Sequence, residues 1–383
     1  MMCRGVSRGS CGVALKMFET VAGLSEILSG GHKMSYILLG VLFVTLFGCK
    51  YKKEGFHQGY IDKEQTTCIN GVFVLLIFMS HFAQYRAAVK GSFYLDFKSQ
   101  HGQLVVVTFL FYSGYGIMWS ILKKGRSYVL QLPLRRLLVV WVHFALALLL
   151  FVASNIYLGY KYSLKNTVLS FFSWSSIGNS NWYIFSILAL YVMTFIAFTV
   201  FKDHTKAIIC MFALTFVFMT VLSHYKDAYW YNTVILYPIG MLFAYKRKPA
   251  EAAVMRSEPV YWGLFINAVF WLIAFSYIWP ASKWMLVPFE CKAIAFMVCV
   301  ILLTMKFSIK NKVLSFFGKY TFEVYILQRI PARLFVHKIT NTYILFAVCF
   351  VITIVLAVVF RFLTDRLDKL WNKILDKFCP KPI

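Results

Sequence analysis

The feature that most constrains this chain is a series of long apolar runs separated by short polar gaps. A run of about 17–25 apolar residues is what an α-helix needs to cross the hydrocarbon core of a bilayer. The runs are continuous and do not alternate in polarity, which excludes a transmembrane β-barrel. We predict eleven membrane-spanning helices, at residues 35–49, 68–87, 103–122, 137–158, 182–201, 205–223, 229–245, 260–280, 289–306, 320–337 and 342–363.

Composition agrees with a membrane protein. The 383 residues are 60% hydrophobic and only 14% charged, which is too little charge to cover a soluble protein of this length. No segment between the runs is long enough to fold alone as a domain. The predicted fold class is therefore an all-α polytopic membrane protein, with ten to eleven transmembrane helices in one bundle and no soluble domain.

The formal charge of +25 raises the question of nucleic-acid binding, and the distribution of charge argues against it. Basic residues concentrate in alternate loops, as the positive-inside rule predicts. These groups are Lys50–Lys53, Lys123–Arg136, Lys246–Arg256, Lys306–Lys319 and Arg361–Lys381. The pattern places the C-terminus in the cytoplasm and the protein in the inner or plasma membrane, with the lipid bilayer and not a nucleic acid as its partner.

The sequence divides into three segments. Residues 1–34 are expected to form a flexible leader, and translation starts at either Met1 or Met34. Residues 35–363 form the transmembrane domain. Residues 364–383 are predicted to form an amphipathic cytoplasmic helix on the anionic inner leaflet. Its apolar face contains Leu367, Leu370, Trp371, Ile374 and Leu375.

Polar side chains inside the predicted spans are the first candidates for a functional site, because they are costly in lipid. His81 follows "VLLIFMS" and lies about 20 Å from the cytoplasmic end of its helix. It is either a neutral histidine hydrogen-bonded to a neighbouring helix or a functional group. Ser113 and Gly114, at a similar depth, favour close helix packing or a catalytic role. His143 is a weaker second candidate.

Other polar residues lie closer to the membrane surface. Arg135 and Arg136 act either as topological anchors or as phosphate ligands, since guanidinium groups suit phosphate oxygens. Glu323 and Gln328 lie in "GKYTFEVYILQRIP". The nine cysteines show no CxxC and no Cys/His spacing of a metal site, so no metal is predicted.

An ordered set of short stretches resembles a known family. They are "NGVFVLLIFMSH", "FLFYSG", "PLRRLL", "NWYIFSILALY", "YPIGMLFAYKRK" and "GKYTFEVYILQ". Over residues 60–360 this set resembles acyltransferase family 3, the multi-pass membrane O-acyltransferases that include the O-acetylases of bacterial surface sugars. The chain departs from the family pattern at Asn70, where the family has a basic residue that Lys63 is expected to replace. It also has Gln328 where the family has histidine.

The resemblance implies a chemistry and assigns roles to these residues. Acetyl-CoA in the cytoplasm donates the acyl group, no cofactor is bound permanently, and the acceptor is a hydroxyl of a cell-surface glycan or its lipid-linked precursor. His81 acts as general base or takes the acyl group itself, and Ser113 or amides near Gly114 stabilise the oxyanion. The expected donor ligands are Arg135, Arg136, Asn70 and Lys63. The expected acceptor ligands are Asn181, Trp182, Glu323 and Gln328.

Two other classes of protein remain open from the sequence. A glycan flippase or another polytopic transporter would favour inverted repeats and broken spans in both halves. A non-catalytic scaffold would not need His81. The sequence shows no internal repeat, and acyl transfer is the favoured function.

Overall fold

A computed structural model describes residues 33–86, 92–278 and 286–378. The leader 1–34, apart from its last two residues, lies outside the described residues. So do residue 87 of the second predicted span, the last two residues of span 260–280 and residues 379–383 of the tail. The helices are α1 Lys33–Leu46, α2 Lys63–Phe82, α3 Phe93–His101, α4 Leu104–Lys124, α5 Arg126–Leu132, α6 Leu138–Leu158, α7 Leu164–Phe171, α8 Trp182–Val200, α9 His204–Ser223, α10 Leu236–Tyr245, α11 Arg247–Val254, α12 Glu258–Ile273, α13 Leu286–Lys306, α14 Lys312–Lys319, α15 Thr321–Leu327, α16 Arg329–Phe335 and α17 Thr342–Phe378.

The fold is the predicted all-α polytopic bundle. Within the described ranges, eight helical segments are long and apolar enough to cross a membrane. A short antiparallel ribbon joins β1 (Cys49–Tyr51) to β2 (Phe307–Ile309), with Cys49 opposite Ile309. The sequence analysis did not predict these strands. They lie at the end of the bundle that carries most of the basic groups, which we call the basic end.

Three predicted spans differ from the structure. The first predicted span is the short helix α1, and in 229–245 only Leu236–Tyr245 forms an α-helix. The span 320–337 is two short helices, α15 and α16, that meet at Gln328. Pro331 has no amide hydrogen to donate to the carbonyl four residues earlier, so a continuous helix is interrupted there.

The paired arginines do not lie in a loop, as the sequence analysis assumed. Residues 126–158 form one helical segment of 33 residues. A π-helical turn, Pro133–Leu137, connects α5 to α6 and contains Arg135 and Arg136. Proline interrupts regular α-helical hydrogen bonding, and a π turn absorbs that interruption without ending the helix.

Two pairs of helices in the described chain touch through glycines, two glycines in each pair. A Cβ at Gly71 of α2 would overlap the Leu314 carbonyl, and one at Gly318 of α14 would overlap the Thr67 carbonyl. The same arrangement joins α4 to α10, through Gly114 against Tyr237 and Gly240 against Phe111. Small residues allow helix backbones to touch, which is the main source of packing energy between helices in lipid.

A structured loop, residues 173–181, covers the opposite end of the bundle from the basic end. The Ile177 carbonyl accepts hydrogen bonds from Asn155 (2.9 Å) and from Arg333 (2.8 Å). Gly178 has a φ of +108° and lies directly against the Arg333 guanidinium. Glycine is required there because a side chain would have both an unfavourable φ and no space.

The crossing of α4 and α10 predicts opposite effects for two glycines of one helix. Gly114→Ala places a methyl group where the Tyr237 carbonyl lies, so the backbones must separate, at a cost of about 1–3 kcal/mol. The methyl group added by Gly116→Ala has nothing within 4 Å, so this variant should be neutral or slightly stabilising. Thermal unfolding of both variants in detergent measures the difference. Equal melting temperatures would contradict the direct backbone contact.

Loop 173–181 predicts a second effect. Gly178→Ala should push the Arg333 side chain away from the Ile177 carbonyl and loosen the loop, seen as faster hydrogen exchange over residues 173–181. Gly159→Ala is the matched control, because Gly159 also has a positive φ (+72°) but open space around its Cβ. If hydrogen exchange over residues 173–181 is equally fast in both variants, φ alone and not the contact with Arg333 determines the order of the loop.

Candidate functional site

A cavity of about 770 Å³ lies beneath loop 173–181, at the end of the bundle opposite to the basic end. We call it the histidine cavity. Helices α2, α3, α4, α8, α13, α15 and α16 contribute to its wall. The lining residues are Ile77, Ser80, His81, Gln84, Lys98, Ser99, Gly102, Gln103, Leu104, Val106, Ser176, Asn179, Ser180, Asn181, Trp182, Tyr229, Phe275, Ser276, Pro288, Phe289, Lys292, Tyr325 and Arg329.

His81 lines this cavity from the last turn of α2, about 27 Å along the helix from Lys63. Its ring centroid is 6.0 Å from that of Tyr325. The Nδ1 atom is buried and has no hydrogen-bond partner among the described residues. A buried polar atom without a partner is costly, so this nitrogen is positioned for a ligand that enters the cavity.

Two cations face His81. They are Lys98 of α3 and Arg329 at the start of α16. Arg329 donates to Ser180 (3.0 Å) and to Gln84 (2.7 Å), which fixes its guanidinium in the wall. Burial lowers the pKa of Lys98 below its ordinary value of 10.5, because removal from water disfavours the ammonium ion.

Asn181 and Trp182, predicted as acceptor ligands, both line the cavity. Asn181 donates to the carbonyls of Ser173 (3.2 Å) and Ser175 (2.9 Å), so its amide nitrogen holds loop 173–181 in place. Trp182 contacts Tyr229 edge-on, with the two ring centroids 6.2 Å apart, and the Trp182 side chain is only partly buried. Their position agrees with the sequence analysis, and an aromatic ring in such a cavity can stack on a sugar.

A row of tyrosines extends from the cavity toward the basic end. Tyr325, next to His81, contacts Tyr183 with ring centroids 5.6 Å apart. Tyr183 and Tyr191 both reach the Ser113 hydroxyl. The ring centroids of Tyr191 and Tyr237 are 6.4 Å apart. We call Tyr325, Tyr183, Tyr191 and Tyr237 the tyrosine row, and its hydroxyl groups make the bundle interior polar at mid-depth.

Ser113 bonds two members of the tyrosine row, Tyr183 and Tyr191, and does not line the histidine cavity. Gly114 cannot supply a free amide, because it lies in the middle of the continuous helix α4 and its Cα is packed on the Tyr237 carbonyl. The expectation that amides near Gly114 form an oxyanion hole is therefore wrong. The alternative expectation of close packing at Gly114 is confirmed.

Arg135 and Arg136 point in different directions. Arg135 forms an ion pair with Asp376 (2.6 Å) and donates to Asn372 (2.8 Å), which attaches the end of α17 to the π turn. Arg136 faces inward toward Tyr128, Tyr191 and Tyr237, yet retains accessible surface. Of the two, only Arg136 meets the tyrosine row, so the pair does not form the joint site that the sequence suggested.

Glu323 and Gln328 lie away from the cavity. Glu323 is 7% exposed and faces Arg361 and Asp365 of α17. Gln328 is 3% exposed and donates to the Tyr325 carbonyl (3.1 Å). In this structure neither can touch an acceptor bound in the histidine cavity, so their expected role as acceptor ligands is corrected.

The remaining candidates lie toward the basic end. Lys63 is the first residue of α2 and is exposed. Asn70 lies two turns further, and its Oδ1 is buried without a partner among the described residues. His143 bonds Asp368 of α17 at 3.0 Å, which gives it a packing role. Within the described chain, neither Lys63 nor Asn70 forms a hydrogen bond or ion pair with Arg135 or Arg136.

The sequence analysis missed five residues that the structure places in or beside the cavity. They are Lys98, Lys292, Arg329, Tyr183 and Tyr325. Tyr325 and Arg329 lie in the "GKYTFEVYILQRIP" stretch that had drawn attention to Glu323 and Gln328. Glu323 and Tyr325 are two residues apart on α15 and point about 200° apart, while Gln328 lies at the junction of α15 and α16 and donates to the Tyr325 carbonyl.

Comparison with known proteins agrees with this geometry. Residues 67–362 match the profile of a family described as "Acyltransferase domain". Neither the curated proteins nor the solved structures gave a match. The match covers most of the chain, including His81, the tyrosine row and Arg136. The chain therefore belongs to acyltransferase family 3, and it is a multi-pass membrane acyltransferase.

Proposed function

We propose that this protein transfers an acetyl group from acetyl-CoA, bound at the basic end, to a hydroxyl of a cell-surface polysaccharide or its lipid-linked precursor in the histidine cavity. The basic end would face the cytoplasm of the inner or plasma membrane, in line with the positive-inside rule. One observation carries the proposal. His81 lines a cavity at one end of the bundle with an unpartnered Nδ1, and the tyrosine row connects that site to Arg136 near the other end.

The donor would follow the tyrosine row. Arg136 would hold a phosphate of CoA, since its guanidinium faces Tyr191 and Tyr237 of the tyrosine row and the residue retains accessible surface. The pantetheine arm carries two amides, and the hydroxyls of Ser113, Tyr183 and Tyr191 would hydrogen-bond them along the way. The thioester would then arrive beside Tyr325 and His81.

Transfer would proceed by general base catalysis. Neutral His81 takes the proton of the acceptor hydroxyl while the hydroxyl oxygen attacks the thioester carbonyl. The Tyr325 hydroxyl, which lies at the cavity wall beside His81, would donate to the oxyanion. The carbon–sulfur bond then breaks, and the thiolate of CoA takes the proton from His81. The products are the acetyl ester and CoA.

The first test of the proposed function is His81→Ala. General base catalysis contributes about 10²–10⁴-fold, so this variant should lose acetylation of the cell's glycans while its level in membranes stays normal. His337→Ala is the control, because His337 is exposed at the same end of the bundle. Normal acetylation by the His81 variant, measured as ester-linked acetate on isolated glycan, would refute the assignment of the base.

The second test separates the two arginines. Arg136→Gln should weaken acetyl-CoA binding about tenfold or more, since a hydrogen bond to a charged group is worth roughly 1.5–3 kcal/mol. Arg135→Gln should instead lower the melting temperature, because it removes the contacts of Arg135 with Asp376 and Asn372 of α17. Calorimetric titration and thermal unfolding of the detergent-solubilised protein measure the two effects. Equal loss of binding in both variants would show that the arginines form one phosphate site.

A further inference from the structure

The histidine cavity is unusual in its charge. Its wall contains three cationic side chains, Lys98, Lys292 and Arg329, and no carboxylate among the described residues. They come from three separate parts of the chain, α3, α13 and α16. Three cations gathered in one cavity create a positive potential that raises the local concentration of anions.

Three other cations at this end have evident structural partners. Arg86 donates to the Val336 and Ile339 carbonyls, at 2.7 and 2.6 Å. Arg333 donates to the Ile177 carbonyl, and Lys226 donates to the Trp174 carbonyl (2.8 Å). These side chains satisfy backbone oxygens at helix ends and in loops.

Two cations of the cavity, Lys98 and Arg329, differ from them. The Lys98 ammonium forms no hydrogen bond or ion pair with any described residue, although it is half-buried. Arg329 is bonded to the neutral groups of Ser180, Gln84 and Tyr85, and within the described chain it forms no ion pair with a carboxylate. Acidic residues of the same helices, Asp96 and Glu290, do not line the cavity. A half-buried charge without a counterion is costly, and an anionic ligand would remove that cost.

We propose that the acceptor is an anion, and that Lys98, Lys292 and Arg329 bind its negative charge beside His81. The charge belongs either to a phosphate, as in a sugar still linked to a phosphorylated carrier, or to the carboxylate of an acidic sugar. This inference rests on the proposed function only in naming the bound anion as the acceptor. It makes the three cations the determinants of specificity, while Trp182 contributes stacking that is independent of charge.

The experiment uses full-length protein in nanodiscs of zwitterionic lipid. Glucose 1-phosphate, glucuronate and methyl glucoside are titrated separately and followed by saturation-transfer NMR. We expect at least tenfold tighter binding of one or both anions than of the neutral sugar, with affinity falling as salt rises. The better of the two anions identifies phosphate or carboxylate as the source of the charge. Equal binding of all three probes would overturn the proposal.

The variants assign the effect to the cavity. Lys98→Gln should weaken binding of the anion about tenfold, and Arg329→Gln should weaken it as well if the variant folds. Lys165→Gln, an exposed cation of α7 at the same end, is the matched control and should bind like wild type. If Lys98→Gln instead loses acetyl-CoA binding, the cavity belongs to the donor and the proposal is wrong. If phosphatidylglycerol in the disc abolishes binding of the probe, the cations form a lipid headgroup site, which also overturns it.

The same assay keeps this inference apart from the proposed function. Anion binding without any acetyl transfer by wild type would contradict the proposed function alone. Acetyl transfer by wild type with no preference for anions would contradict this inference alone.

Discussion

Backbone contact between helices is the constraint on which the site depends. In lipid, apolar surface gains little by contacting another helix, so close packing must supply the energy that water supplies elsewhere. Gly71 and Gly318 bring α2 onto α14, and Gly114 and Gly240 bring α4 onto α10. The first contact fixes the helix that carries His81. The second fixes the helix that carries Ser113, with the tyrosine row beside it.

Polar groups in the interior follow a consistent order from one end to the other. Arg136 lies near the basic end, tyrosine and serine hydroxyls occupy mid-depth, and His81 with its cations occupies the opposite cavity. A hydroxyl group costs far less to bury than a charge, and hydroxyl groups suit a neutral pantetheine arm. Among the described residues of the interior, the charged groups lie toward the two ends, where a phosphate at one and an anion at the other would neutralise them.

The long final helix gives the basic end its own stability. Helix α17 runs for 37 residues, about 56 Å, which is more than a bilayer core requires. Its last turns bond the π turn through Asp376, and Trp371 donates to the Leu134 carbonyl (3.0 Å). His143 holds the same helix through Asp368. The C-terminal turns of α17 therefore stabilise the π turn that contains Arg136.

The sequence by itself determined the fold class, most of the spans, the depth of His81 and the place of Asn181 and Trp182. These are local properties, because the length and polarity of a run are enough to recognise a membrane helix. Only the tertiary structure separated Arg135 from Arg136, moved Glu323 and Gln328 away from the cavity, and gathered Lys98, Lys292 and Arg329 around His81. The physical reason is helix rotation. Lipid and protein interior are both apolar, so hydrophobicity along a membrane helix does not indicate which face points inward, and packing alone decides it.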